Sequence, residues 1–159
     1  MLPLFLSNWR LSFGQDKIYI AYYFLKMIKT TLDKIIALGS KGPEIKKDIS
    51  PAFYQRGIYQ WWHKKYGCIY VGINALDTNE KNNGMPLRAL HHTRKLLNQI
   101  TSNTRQTKKW LAFSKLFNAN KDLYSDIEIY YENRPHCSKK ELEQLEKELV
   151  NKHKPITNH

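Results

Sequence analysis

Glu146 occupies a position that a surface helix normally gives to an apolar residue. Ser138 and Glu141 form a capping-box signature that opens a helix toward the end of the chain. Counting about 100° per residue from Leu142, Leu145 falls near −60°, Leu149 near −20°, Val150 near 80° and Glu146 near 40°. Glu146 therefore lies inside the apolar stripe, while Glu141, Glu143 and Glu148 fall at its edges or outside. An inward carboxylate is costly to desolvate unless a cation meets it, so a bound metal ion or a buried Arg is implied. A border Glu that lays its stem along the stripe and reaches water is the plainer alternative.

A second candidate lies in GIYQWWHKKYGCIYVG, residues 57–72. Two short β-branched and aromatic runs flank a polar turn, the pattern of a β-hairpin. Ten residues separate Tyr59 from Tyr70, so a symmetric hairpin sets the two phenols opposite one another on one face. They serve either as a shared chemical site or as a structural cross-strand pair.

The elements that must position these groups fit one domain of 159 residues. Apolar residues make up 42 %, and 26 Lys and Arg against 14 Asp and Glu give a formal charge of +12. Such a balance points to a polyanionic partner. Residues 81–121 hold nine basic residues and no carboxylate, which makes this half the candidate phosphate-facing surface, with Arg94, Lys95, Arg105, Lys108, Lys109 and Lys115 as its main cations. A solvated basic face is the alternative. Cys68 and Cys137 have neither zinc spacing nor a disulfide framework, and no apolar run is long enough to span a bilayer. The initial MLPLFL lacks a basic lead and a cleavage site. A soluble, cytoplasmic protein is expected.

Periodicity over residues 16–38 predicts a long helix ended by Gly39, followed by a loop-rich connector over residues 40–52. Pro86 opens an amphipathic helix that runs to Ile100, with Leu90, Leu96, Leu97 and Ile100 inward and Arg88, His92, Lys95 and Gln99 on another side. A second basic helix carries Trp110, Phe113 and Phe117 inward, and residues 126–131 alternate as a strand. The expected fold is α+β: a small, mostly antiparallel sheet flanked by helices. Residues 1–52 form a helical N-terminal extension and connector, and residues 53–159 the main domain.

These residues resemble the GIY-YIG nuclease superfamily. Gly57-Ile58-Tyr59 and Tyr70-Val71-Gly72 match its first motif. Arg88, with His92 four residues on, matches the second. Glu146, Leu149, Val150, Pro155 and Asn158 match the third, position by position. The stretch over residues 73–87 looks like an insertion relative to compact members, Val71 replaces an Ile, and the first 50 residues lie outside the resemblance. The resemblance implies a catalytic set of Tyr59, Tyr70, Arg88, His92, Glu146 and Asn158: Tyr59 as base or water positioner, Tyr70 and His92 assisting, Arg88 on the phosphate, Glu146 on the metal and Asn158 ordering the site. His92 as a surface helix residue and Asn158 in a frayed terminus are the duller roles.

The chemistry of these side chains agrees. Glu146 can hold one Mg²⁺ or Mn²⁺, an ion that takes one or two carboxylates and leaves its other positions to water and phosphate. Arg88 can fork onto a phosphate oxygen, which Lys cannot reproduce. Tyr59, with an ordinary phenol pKa of about 10, acts as a base only if neighbouring cations lower it. Glu128 and Glu132 are fallback metal ligands. Because the chain stops one residue after Asn158, target selection is expected from the N-terminal helix, the 73–87 loop and the basic stretch, an economy that suits a small restriction-type endonuclease on double-stranded DNA. A two-fold dimer on a palindromic site follows, with the aromatic segment Tyr19, Tyr22, Tyr23 and Phe24 as candidate interface. The rivals are a catalytically silent DNA- or RNA-binding module, and a repair or homing nuclease that works with a partner.

Overall fold

The computed structural model describes residues 27–39, 55–75, 85–97 and 103–158. Four strands form one antiparallel sheet: β1 (Ile28–Thr31), β2 (Gly57–His63), β3 (Gly67–Asn74) and β4 (Ile127–Asn133), in the order β1-β4-β2-β3. Four helices accompany it: α1 (Leu32–Gly39), α2 (Met85–Leu96), α3 (Arg105–Ala119) and α4 (Lys139–His153). The architecture is α+β, as the sequence patterns lead one to expect.

The hairpin of β2 and β3 turns on Gly67, whose φ of +79° suits glycine. Its register differs from a symmetric one. Tyr59 stands opposite Gly72, and Trp61 opposite Tyr70. Between Trp61 and Trp62 the pairing slips, leaving Ile69 as the extra residue of a β-bulge. The two phenols are thus diagonal neighbours rather than a directly opposed pair. Their shared face survives, because the offset is two residues and strand side chains repeat every two.

Both faces of the sheet are covered, which is why β2 is buried along its whole length. On one face Tyr59, Trp61, Ile69, Tyr70, Ile127, Ile129 and Tyr131 pack with Leu32 and Ile35 of α1, Ala89 and Leu96 of α2, and Trp110, Phe113 and Phe117 of α3. On the other, Ile58, Trp62, Cys68, Val71 and Tyr130 meet Leu149 of α4. The chain opens α4 with the expected capping box, Ser138 Oγ accepting from the Glu141 amide while the Glu141 carboxylate accepts from the Ser138 amide.

Two helical expectations change. Residues 28–31 are a strand rather than part of a long helix, since IKTT ends in two β-branched residues and pairs along β4. Helix α1 begins only at Leu32, and residues 16–26, with the candidate interface tyrosines, lie outside the described residues, as does the connector over residues 40–52. Helix α2 is also turned relative to its apolar periodicity. Ala89, His92, Thr93, Lys95 and Leu96 are buried, whereas Leu97 is 40 % exposed. Small Ala89 lets the helix approach the sheet and His92 finds an aromatic partner, so packing overrides the leucine pattern. Ile100 and the Leu90 side chain lie outside the described residues.

After α4 the chain takes a left-handed cap at Lys154, φ +46°, and residues 156–158 run along the outer edge of β3. The Ile156 amide donates to Cys68 O at 3.2 Å and the Thr157 amide to Ile69 O at 2.9 Å. The side chain of Asn158 accepts from the Val71 amide at 2.8 Å and donates to the Val71 carbonyl at 2.7 Å. An otherwise open sheet edge is thereby satisfied. Among the described residues no helix is long and apolar enough to cross a membrane.

Candidate active site

Tyr59 reaches its place because Gly72 stands across from it. A Cβ at residue 72 would lie 2.7 Å from the Tyr59 hydroxyl and 2.6 Å from the Tyr70 ring. With glycine there, the Tyr59 and Tyr70 ring centres approach to 5.9 Å. His92 of α2 completes the triangle. Its Nε2 is 3.3 Å from the Tyr59 hydroxyl, and its ring lies 4.2 Å from that of Tyr70. Trp110 of α3 stacks on the imidazole at 5.4 Å with 12° between planes, and Trp61 meets it edge-on.

This packing sets the protonation states. Burial, aided by the positive charges of Lys95, His91 and Arg88, holds His92 well below the usual histidine range, so it is neutral near pH 7. Burial also raises Tyr59 well above the ordinary phenol value, with Tyr70 adding to the rise. Neighbouring Arg88 pulls it down and Glu146 pushes it up, but burial dominates. The cation-lowered Tyr59 that base catalysis asks for is therefore not the resting state of this fold. Tyr70 is raised as well, by burial and then by Glu146, while Gln106, Tyr59 and Arg88 act in the opposite direction.

Arg88 and Glu146 each act on both phenols through their charge, Arg88 from α2 on the phenol face and Glu146 from α4, which packs across β3 on the opposite face. Glu146 is half-buried, as its helical angle predicts, and Glu143, expected at the edge of the stripe or outside it, is half-buried too. The Glu146 carboxyl is raised by burial and by Glu143, against the pull of Arg88. The guanidinium Nε of Arg88 is buried without a hydrogen-bond partner among the described residues, an unspent donor.

Asn158 does not point a reactive group at this cluster. It binds both backbone groups of Val71, the residue between Tyr70 and Gly72, and so holds the strand that carries them. Its own carbonyl accepts from Lys109 Nζ. Glu128 and Glu132 lie on the other face of the sheet. Glu128 pairs with Lys29 at 2.5 Å and accepts from the Tyr130 hydroxyl, and Glu132 pairs with Arg134 at 2.7 Å. The sheet separates both from Tyr59 and Tyr70. Among the described residues no three His, Cys, Asp or Glu side chains converge as a metal cage.

The expected basic surface divides. Arg105, Lys108 and Lys115 are exposed along α3, and at about 100° per residue they fall within an arc of about 80°. Arg94 is exposed on α2. Lys109 is half-buried and engaged with Asn158, and Lys95 is buried and donates to Gln106 Oε1 at 3.1 Å. Gln106 escaped the sequence reading because one polar residue on a polar helix carries no signal; only the packing of α3 against α2 brings it beside Tyr70. Trp110 was legible as inward-facing, but not as the plate on which His92 rests.

Comparison of the chain with known protein families, with curated proteins and with solved structures finds no match in any of the three. What the cluster does must be argued from its own residues.

Proposed function

We propose that this chain is a metal-dependent endonuclease of the GIY-YIG kind, a small restriction-type enzyme that hydrolyses phosphodiester bonds in double-stranded DNA in the cytoplasm. The observation that carries this reading is the contact of Tyr59, Tyr70 and His92, with Arg88 and Glu146 within electrostatic reach of both phenols, drawn from four elements and from three motifs far apart in the sequence, with a basic stripe on α3 nearby in the chain.

The residues divide the work as follows. Arg88 forks onto the non-bridging oxygens of the scissile phosphate, where negative charge builds up. The phenols orient the attacking water, one of them takes its proton after giving its own hydroxyl proton to solvent, the water oxygen bonds to phosphorus, and the ester P–O bond breaks as a proton from solvent reaches the leaving oxygen. Neutral His92 holds the Tyr59 hydroxyl, and the Trp110 ring holds His92. A half-buried carboxylate suits Mg²⁺ or Mn²⁺, ions that can take one protein ligand and complete their shell with water and phosphate, and Glu146 would be that ligand. When bound, such an ion supplies charge neutralisation at the phosphate and a more acidic water. On a palindromic site a two-fold dimer cuts both strands.

The test is a supercoiled plasmid incubated with purified protein and Mg²⁺, with Glu146→Gln alongside. Wild type is expected to nick or linearise the plasmid. The variant is expected to lose cleavage while its circular dichroism and its DNA binding without metal stay unchanged. Full activity in Glu146→Gln removes the metal assignment. DNA or RNA binding with no cleavage under any divalent ion returns the chain to a silent binding module.

A further inference from the structure

Helices α3 and α4 cover opposite faces of the sheet, and a cleft of about 280 Å³ opens beside the edge strand β3 where residues of both line one space. Its walls are Lys109 of α3, Val150 and Asn151 of α4, and Lys154, Pro155 and Asn158 of the segment that follows. Two ammonium groups and two carboxamides share this space with two apolar residues and no carboxylate. The cleft is smaller than the roughly 300 to 1,000 Å³ of a pocket that engulfs a whole small molecule, and it lacks the mainly apolar walls of one. It suits a single charged group of a larger ligand.

The cations here are held but not paired. Lys109 Nζ donates to the Asn158 backbone carbonyl, which leaves two of its three ammonium hydrogens. Asn158 is more than nine-tenths buried and is itself pinned to Val71 through its oxygen and one amide hydrogen. The second hydrogen of that amide is unspent among the described residues. Lys154 is exposed and takes φ +46° and ψ +56°, a position where helices usually carry glycine. Among the described residues neither lysine forms an ion pair with a carboxylate. Two like charges on one cleft repel unless an anion shares them.

The cleft adjoins the candidate active site. Val150 follows Glu146 by one turn, about 6 Å along α4. Asn158 binds Val71, the neighbour of Tyr70, and Lys109 precedes Trp110, on which His92 stacks. Successive phosphates of one DNA strand are about 3.4 Å apart along the helix axis, so a strand that brings one phosphate to Glu146 carries others within reach of the cleft. We propose that the cleft is a phosphate subsite, in which Lys154 and Asn151 hold a non-scissile phosphate of the DNA strand being cut while the tethered Lys109 supplies a fixed positive charge. This assignment rests on the nuclease reading. The chemistry recognised is a phosphate group, and its source is the DNA backbone.

Lys154→Gly tests this with little structural cost, because glycine tolerates the positive φ and the change removes only the side chain. Affinity for a short duplex without divalent metal is expected to weaken about threefold to tenfold, with a salt slope lower by about one. Under Mg²⁺ the loss is expected in KM rather than kcat, and the urea midpoint is expected to stay at or above that of wild type. Lys154→Arg, which keeps the charge, is expected to restore affinity. A lysine that serves only the negative end of the α4 dipole predicts the reverse, a lower urea midpoint with unchanged duplex affinity and salt slope, and that result overturns the proposal. A readout free of mutation at Lys154 is the side-chain amide resonance of Asn151, assigned by its loss in Asn151→Ala and expected to shift when the duplex is added to the wild type. Inorganic phosphate is titrated as a separate arm. Should it move that resonance while the duplex does not, DNA is not the source and the proposal falls. A wild type that never cuts, yet binds the duplex through Lys154, refutes the nuclease reading alone.

Discussion

Asn158→Ala removes one side chain and two hydrogen bonds, and its cost can be worked from the geometry. Both bonds join the same residue, Val71, at 2.8 and 2.7 Å, and Asn158 itself is buried. Each bond contributes about 1 kcal/mol net, and the two backbone groups left behind lie at an edge that water reaches only in part, which adds a further penalty. A loss of about 3 kcal/mol is expected, or roughly 6 to 12 °C in melting temperature for a chain of this size. The fold itself should persist, since the Ile156 and Thr157 amides and the Thr157 hydroxyl still hold Cys68 and Ile69. Urea unfolding followed by tryptophan fluorescence measures the loss, and amide exchange at Val71 localises it. Asn158→Asp sharpens the comparison. It keeps the acceptor for the Val71 amide but loses the donor to the carbonyl, so it is expected to recover stability in acid as the carboxyl regains a proton. A loss under about 0.5 kcal/mol in Asn158→Ala, the range of an inert surface change, refutes the idea that this side chain holds the edge of β3.

Other outcomes are as definite. Arg88→Lys keeps the charge but loses the fork, so turnover is expected to fall about tenfold or more with much less effect on binding; equal turnover shifts the phosphate contact elsewhere. Lys108→Ala with Lys115→Ala removes two exposed cations of α3 and is expected to weaken DNA binding for all sequences and to flatten the salt dependence by about one to two units. An unchanged slope places that stripe away from DNA. His153, held at about 4 by burial and by Lys152, is depressed below its unfolded value of about 6.5. The unfolded chain takes up that proton first, so stability is whole above the unfolded pKa and declines as pH falls toward the folded one. His153→Gln is expected to flatten urea midpoints over that window; a profile parallel to wild type discounts the histidine.

Much of the site was legible because it is local. A helical angle placed Glu146 in the buried stripe, strand periodicity placed Tyr59 and Tyr70 on one face, and a capping box opened α4. What escaped was tertiary. The bulge at Ile69 changes which residue opposes Tyr59, and no propensity announces it. The roll of α2 buries His92 and Lys95 in place of Leu97 because Trp110 and Gln106 wait on another helix. Residues 28–31 have a helical neighbour and an apolar rhythm, yet the edge of β4 claims them as a strand. Net charge likewise counts every lysine alike, whereas packing turns Lys95 and Lys109 to internal use.

The room left by Gly72 binds three positions into one heritable unit. Any side chain there collides with both phenols, so drift at residue 72 is closed while Tyr59 and Tyr70 keep their rings, and opens only after a tyrosine shrinks. Gly57 is closed more firmly against β4: a Cβ would come within 2.2 Å of the Glu132 backbone carbonyl as well as 2.8 Å of the Tyr131 ring. The glycine of one triplet therefore shelters a tyrosine of the other, while the remaining glycine shelters a tyrosine outside both. In any lineage descended from this chain, changes at residues 59, 70 and 72 should travel together, whereas residue 57 should stay glycine whatever stands at 131, because the Glu132 backbone carbonyl closes it.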